Sequence, residues 1–334
     1  MKRAFLAAAI ALPLCLAVAA PAPAQQPAAP AARPARGSGP VDPGGLQPGG
    51  ADVFMSIKEY PSNQQSGVNA DQFIGYPDKA TAAAFNGMRL QSMLRAGDPY
   101  HAGVYGSVLE YRDQLAVMTL WPHGESTSVS APGIYFYYVQ GGAGRVDTGP
   151  GTKSYDLHNG VGVLFAPDAK QHFVNTGDTP LSMIMLTWKD NDGLKVKQDL
   201  KVVDTNNGPL NPGGVHWVMS GKSMFGGADG INSSASAIVV PAGTYTGPHA
   251  HGRGGEEIWV KTGFDVGYAI LGSDIRKIDG PGAFLAPPNG LTTHSSMNLT
   301  DHDEIWLYLA RSRLPGGAVA PRAPAGARPP AGAK

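Results

Sequence analysis

From Val104 onward, the chain alternates short apolar, β-branched and aromatic runs with Gly, Pro, Asn and Asp. In the first half, the runs cover residues 115–121, 134–139, 161–165 and 181–188. After a hydrophilic connector, 189–214, they resume at residues 215–219, 237–240, 258–260, 266–271, 283–286 and 304–309. Short strands separated by turn residues are typical of all-β sandwiches and barrels. The pattern therefore predicts an all-β fold.

One stretch ahead of these runs has a different pattern. Residues 78–96 begin with Asp78, have an Ala-rich body and stop before Gly97. The apolar side of this stretch is formed at helical spacing by Ala83, Gly87, Leu90 and Leu94. This spacing predicts a short N-terminal helix packed on a barrel.

The two β-rich regions share their internal spacing. Gly141 precedes His172 by 31 residues, and Gly263 precedes His294 by 31 residues. The tripeptide Phe165-Ala166-Pro167 of the first region also has a counterpart, Leu285-Ala286-Pro287, in the second. The repeat predicts two barrels, one over residues 53–190 and one over residues 215–312, joined by a linker over 191–214.

The two ends of the chain have compositions of their own. Residues 1–24 have the pattern of a secretory signal: Lys2 and Arg3, an apolar core over 4–20, and small residues at Ala22-Pro23-Ala24 for cleavage. Residues 25–52 and 313–334 are rich in Ala, Pro and Gly and are predicted to be a disordered linker and a disordered tail. We therefore expect a periplasmic or secreted protein with no stable membrane insertion after cleavage.

The charge balance limits the classes of partner that are expected, and the cysteine content indicates how the fold is stabilised. The 26 basic and 26 acidic residues balance, so no electrostatic attraction to nucleic acid is expected. The only cysteine, Cys15, lies in the leader, so the mature chain depends on burial and not on disulfides for its stability. We expect a small-molecule ligand or substrate as the partner, with a homo-oligomer possible.

Candidate chemistry is concentrated in residues 243–263. His249 and His251 are two residues apart, so their imidazoles share one face of an extended strand. Glu256 follows on what reads as the returning strand, and His294 offers a fourth donor. Three imidazoles and a carboxylate suit Mn²⁺, Fe²⁺, Zn²⁺, Cu²⁺ or Ni²⁺, and the donor types do not choose among these divalent ions.

These residues resemble the two motifs of the cupin superfamily. Gly243, His249, His251, Glu256 and Gly263 follow the first motif with its spacing. The second motif is matched by Gly282, Pro288, Gly290, His294 and Asn298, with one extra residue between Gly290 and His294. The resemblance implies a bicupin of two jelly-roll barrels with a metal held by His249, His251, Glu256 and His294.

The first copy lacks such donors at the matching positions. Counting back from Gly141 reaches Ile134, Val129 and Thr127, and counting back from Gly142 reaches Tyr135, Ser130 and Ser128. A different loop length would let His123 and Glu125 join His172 around a second ion. The favoured interpretation is a first barrel without metal, in which His172 lines a pocket or forms structural hydrogen bonds.

The resemblance implies an exported oxidoreductase of the dioxygenase type, or a decarboxylase, acting on an oxygen-rich small molecule. A bicupin that binds metal or a small molecule without turnover is the alternative. Acid–base candidates are Tyr245, Arg253 and Glu257, with His302 expected to be exposed. Four aromatic residues lie on neighbouring strands and could line a pocket or fill the core: Trp259, Tyr268, Trp306 and Tyr308.

Overall fold

The computed structural model describes residues 68–188, 195–212, 219–251 and 255–312. The regular secondary structure of the described chain is almost entirely β-strand, and its strands form two barrels, as the sequence pattern predicts. The leader 1–24, the linker 25–52 and the tail 313–334 lie outside the described residues. In the described ranges, no helix is long and apolar enough to span a bilayer.

The first elements are helix α1 (Ala70–Phe73), strand β1 (Ile74–Gly75) and a 3₁₀ turn (Pro77–Lys79). The strands of the N-terminal barrel follow in chain order: β2 (Ala83–Phe85), β3 (Met88–Ala96), β4 (Ser107–Leu109), β5 (Arg112–Leu120), β6 (Val129–Ser130), β7 (Tyr135–Gly141), β8 (Gly144–Asp147), β9 (Tyr155–Leu157), β10 (Val161–Phe165), β11 (Lys170–Asn175), β12 (Leu181–Trp188) and β13 (Leu200–Asp204).

A 3₁₀ turn (Thr205–Asn207) leads to the C-terminal barrel, which has a further 3₁₀ turn at Gly227–Asp229. Its strands are β14 (Asn211–Pro212), β15 (Ser220–Phe225), β16 (Ser234–Val240), β17 (Thr244–Tyr245), β18 (Gly255–Lys261), β19 (Val266–Leu271), β20 (Asp274–Asp279), β21 (Gly282–Leu285), β22 (His294–Asn298) and β23 (Glu304–Ser312).

The sheets of the two barrels repeat one topology. The larger sheets run β13-β10-β7-β12-β5-β3-β2 and β1-β21-β18-β23-β16-β15-β14, and the smaller ones run β6-β11-β8-β9 and β17-β22-β19-β20. The strand β1 precedes the first barrel in sequence but pairs with β21 of the second barrel, where Ile74 lies opposite Phe284. The N-terminal segment is therefore built into the C-terminal barrel.

The helix predicted over residues 78–96 is wrong. Strands β2 and β3 occupy most of this stretch and form a hairpin in which Ala83 pairs with Leu90. Asn86 and Gly87 form its two-residue turn with φ of 56° and 75°, and Asn-Gly is a favoured turn of this kind. A bulge between Ser92 and Leu94 then shifts the alternation of buried residues, so the strand imitates helical spacing.

The connector predicted over residues 191–214 also differs from the structure. Its residues 200–204 form β13, which closes one edge of the larger sheet by pairing Val163 with Val202. The two-residue strand β14 pairs with β15 in the second barrel. The segment thus contributes a strand to each barrel. Residues 191–194 and 213–214 lie outside the described part.

The larger sheets of the two barrels pack against each other. Ile134 and Leu186 of the first barrel belong to the same contiguous buried cluster as Ile258 and Leu307 of the second. A second cluster fills the interior of the first barrel around Tyr137, Phe165 and Phe173. Each strand of a larger sheet therefore alternates between its own barrel interior and the neighbouring barrel.

Candidate metal centre

Three histidines and one glutamate meet inside the C-terminal barrel. His249 follows β17, and reciprocal backbone hydrogen bonds join it to His294 at the start of β22, with N–O distances of 2.8 and 3.3 Å. His251 lies two residues further along, and Glu257 projects from β18. Ring centroids of His249 and His294 are 4.4 Å apart, and one donor atom from each of the four residues lies within 4.8 Å of the others.

Hydrogen bonds and an ion-pair contact orient the four side chains. Glu257 Oε1 lies 2.8 Å from His294 Nε2, and Glu257 Oε2 lies 2.8 Å from His251 Nε2. His249 Nδ1 lies 2.9 Å from the carbonyl oxygen of Gly247. Because a carbonyl oxygen only accepts, this nitrogen carries the proton, and the lone pair of His249 is on Nε2.

Burial and charge set the protonation of the cluster. Burial raises the pKa of Glu257, but the adjacent His251 and His294 imidazoles overcome this effect and hold it well below its usual range. Burial lowers the pKa of His294, and Glu257 only partly offsets it. Burial also lowers the pKa of His251, but the Glu257 carboxylate raises this pKa by more than burial lowers it, so the net shift is upward. The carboxylate is therefore ionised beside its two imidazole neighbours.

The donor set fits a divalent metal ion. Imidazole nitrogen and carboxylate oxygen are ligands of Mn, Fe, Zn, Cu and Ni, with bond lengths of about 2.0–2.2 Å. Donor atoms within 4.8 Å of one another need only small side-chain rotations to surround one ion at that distance. A cation there would face the ionised carboxylate of Glu257. The His251 side chain is 24% exposed, whereas those of Glu257 and His294 are 8% and 1% exposed, so solvent reaches the cluster on the His251 side.

The carboxylate of the cluster is Glu257 and not Glu256, which corrects the residue taken from the sequence motif. Glu256 projects from the opposite face of β18, since neighbouring residues of a strand alternate. Its Oε1 accepts a 2.6 Å bond from Arg112 Nη1 of the first barrel, and its Oε2 accepts from the backbone N–H of Glu110 and Tyr111. The other three predicted ligands, His249, His251 and His294, do come together.

The remaining candidates lie at varied distances from the cluster. Trp259 and Tyr308 are beside it, and both bond to Glu257. Trp306 lies deeper in the same barrel against Phe284. Candidates away from the cluster include the largely exposed Tyr245, Tyr268 between β20 and β22, and His302, which bonds Asp301 and Asp265 near the surface. Arg253 lies outside the described residues.

Equivalent hydrogen bonds in the two barrels show which residues correspond to one another. The side-chain amide of Asn175 donates to the carbonyl oxygens of Leu120 and Thr179. The side-chain amide of Asn298 donates in the same way to the carbonyl oxygens of Val240 and His302. This alignment makes Gln171, four residues before Asn175, the counterpart of His294, four residues before Asn298. In the first barrel Val129 pairs with Gln171 and Ala131 accepts from Asp168, as His249 pairs with His294 and His251 accepts from Gly290 in the second.

The histidine positions of the first barrel are thus held by Val129, Ala131 and Gln171. Gln171 Oε1 accepts a 2.6 Å bond from the Tyr137 hydroxyl. His172 lies one position off the aligned site: its Nδ1 is 2.9 Å from Asp147 Oδ1 and its Nε2 is 2.8 Å from Glu125 Oε1. It acts as a structural hydrogen bonder, and His123 instead contacts Asp178. The cluster in the second barrel is the metal-type group among the described residues.

Comparison with known proteins supports the fold. No family model matches the chain, and no curated protein matches it in sequence. Oxalate decarboxylase from Lactobacillus farciminis, solved as a formate complex, aligns with a TM-score of 0.52 at 10% identity over 74% of this chain and 88% of that one. Vicilin from Corylus avellana aligns with a TM-score of 0.53 at 9% identity over 72% and 85%, and AerE from Microcystis aeruginosa with 0.54 at 12% over 72% and 99%. The protein therefore has the bicupin fold.

Proposed function

We propose that this protein is an exported bicupin that holds one divalent metal ion in its C-terminal barrel, with His249, His251, Glu257 and His294 as ligands. The observation that carries the proposal is the convergence of three imidazoles and a carboxylate inside that barrel. The aligned positions of the first barrel carry Val129, Ala131 and Gln171 instead. We therefore assign one ion per chain.

The surroundings of the cluster support an ion that remains accessible to a small molecule. His249, Glu257 and His294 are buried, so they fix the ion, and the partly exposed His251 marks the side from which a ligand would approach. The bound ion would polarise substrate oxygens as a Lewis acid. Tyr308 is the hydroxyl beside Glu257, and burial together with the Glu257 charge raises its pKa well above the usual range, so it stays protonated as a neutral donor.

For the reaction, we propose dioxygenase-like oxidation or decarboxylation of an oxygen-rich small molecule. The cluster supports this reaction class, and oxalate decarboxylase is an example of a protein of similar fold named for such a reaction. The second candidate is a bicupin that binds metal or a small molecule without turnover, because one fold hosts many functions. Export is proposed from the pattern of residues 1–24.

Metal analysis of the purified protein and its variants tests the proposal. We expect about one equivalent of a divalent metal in the wild type and a steep loss on replacing His249, His251, Glu257 or His294 by Ala, because each ligand contributes to one shared chelate. His172→Ala is the matched control, since its imidazole bonds two carboxylates in the other barrel. Metal-free wild type, or equal metal in all variants, would contradict the assignment.

Turnover is tested on the metal-loaded protein with oxalate, catechols and flavonoids. Oxygen uptake or CO₂ release in the wild type, absent in Glu257→Gln, would support the enzymatic function. Saturable binding of one of these compounds without product would favour the binding function instead.

A further inference from the structure

The tripeptide Glu-Ile-Trp occurs twice in the C-terminal barrel, at residues 257–259 on β18 and at residues 304–306 on β23. In both copies the indole N–H donates to the glutamate two residues earlier. Trp259 Nε1 lies 2.7 Å from Glu257 Oε1, and Trp306 Nε1 lies 2.9 Å from Glu304 Oε2. Residues i and i+2 share one face of a strand, which makes this bond possible.

The two copies differ in what the carboxylate does. Glu257 belongs to the metal-type cluster, whereas Glu304 is two positions along β23 from Trp306 and faces the buried Lys261 and Gly267. In the β18–β23 pairing, Trp259 lies opposite Tyr308, and Lys261 lies opposite Trp306. At about 3.4 Å per residue, the Trp306 pair therefore lies roughly 7 Å further along the barrel than the Trp259 pair.

The bond from Trp259 constrains a specific oxygen of Glu257. Oε1 accepts from the indole and from His294, while Oε2 lies 2.8 Å from His251 Nε2 and 3.4 Å from the Tyr308 hydroxyl. Trp259 is 1% exposed, and its ring packs edge-on against Tyr308 with centroids 5.2 Å apart. The indole is thus held rigidly, and its N–H, a donor that never titrates, remains on Oε1 when the imidazoles turn to an ion.

We propose that Trp259 is a positioning residue for the metal centre: its indole N–H holds Glu257 Oε1 and thereby sets how the carboxylate meets the ion, with the Tyr308 hydroxyl as a weaker second support on Oε2. This inference rests on the proposed metal binding. Groups that orient a ligand in this way commonly change metal affinity by about 10–100-fold when removed.

The experiment compares Trp259→Phe with Trp306→Phe, because each loses one buried indole that donates to a glutamate two residues earlier. Affinity is measured for Co²⁺ by competition with a chromogenic chelator, and the visible absorption of the bound Co²⁺ reports its coordination. We expect Trp259→Phe to weaken Co²⁺ binding by about 10–100-fold and to change the spectrum. Trp306→Phe should leave both unchanged, and Tyr308→Phe should have a smaller effect than Trp259→Phe.

A second variant separates the hydrogen bond from packing. Benzothienylalanine at position 259 keeps the ring shape but replaces the N–H by sulfur, so it should reproduce the loss of affinity seen in Trp259→Phe without a cavity. Normal affinity and spectrum in that variant, or equal losses in Trp259→Phe and Trp306→Phe, would overturn the positioning role. Failure of the wild type to bind Co²⁺ would instead overturn the proposed metal site itself.

Discussion

Replacing the neighbouring glutamates Glu256 and Glu257 one at a time should separate stability from metal binding. The Glu256 side chain is 2% exposed and its partner Arg112 is 0% exposed, and their closest N–O distance is 2.6 Å. Glu256→Gln leaves the guanidinium buried without its counter-charge, and Arg cannot lose its proton. Removing one partner of a buried pair costs about 3–5 kcal/mol of the free energy of unfolding.

Such a loss should be readily measured. In proteins of about 150–250 residues, 1 kcal/mol moves the melting temperature by about 2–4 °C, so Glu256→Gln should lower it by roughly 6–20 °C. Its metal content should remain that of the wild type, because its carboxylate faces the other barrel. Melting is measured after chelator treatment, so that bound metal does not contribute to the comparison.

Glu257→Gln should behave in the opposite way. The partners of Glu257 are His251 and His294, which can give up a proton when the carboxylate is removed, so no charge is left buried and the melting temperature should fall less. Metal content should fall steeply, because the amide is a poor replacement for the carboxylate ligand. Metal loss in Glu256→Gln with normal metal in Glu257→Gln would refute this division of roles and restore the ligand taken from the sequence motif.

Three further predictions follow from the described contacts and the leader. Burial lowers the pKa of His172, but its bonds to Glu125 and Asp147 raise this pKa by more than burial lowers it, so the net shift is upward. The protonated His172 therefore stabilises the fold at pH values below its unfolded pKa, near 6.5, and this contribution is lost as the pH rises through its folded pKa. The denaturant midpoints of His172→Gln and wild type should differ more at about pH 5.5 than at about pH 8. Titration of chelator-treated protein should saturate at one Co²⁺ per chain, also in Gln171→Ala, and a second equivalent lost in that variant would assign an ion to the first barrel. Mass spectrometry of the exported protein should find an N-terminus at or near Gln25, and an intact Met1 in that fraction would exclude cleavage.

The repeated barrels could be predicted from the sequence because strand alternation and turn residues are local signals. The equal Gly-to-His spacing placed His172 at the position of His294, one residue away from the true counterpart, Gln171. The β2–β3 hairpin of the first barrel could not be predicted in this way. A bulge in β3 shifts the alternation of its apolar residues, so that their spacing resembles that of a helix. The Asn86-Gly87 turn was the available signal for the hairpin there. Likewise, β13 has only one short apolar run, Val202-Val203, between Lys201 and Asp204, and each of its residues is only half buried at the sheet edge.

The group of donors that the structure brings together differs from the predicted one at a single residue, and the difference has a geometric origin. His249, His251 and His294 were predictable because motif spacing and the i, i+2 relation select one face of an extended segment. The loop between His251 and β18 can change length by one residue, and that change exchanges Glu256 for Glu257 on the interior face. The alternation with Trp259, which faces the same interior, could have shown that Glu257 is the inward residue.

The placement of these two glutamates links the barrels physically. Glu257 turns into the second barrel beside the histidines, and Glu256 is bound by Arg112 and by the backbone of Glu110 and Tyr111 from the first. The start of β18 is therefore anchored on both faces. The first barrel, which lacks the donors, thus stabilises the strand that carries the proposed ligand, through an ion pair at the neighbouring residue, while the Glu257 carboxylate keeps its own contacts inside the second barrel.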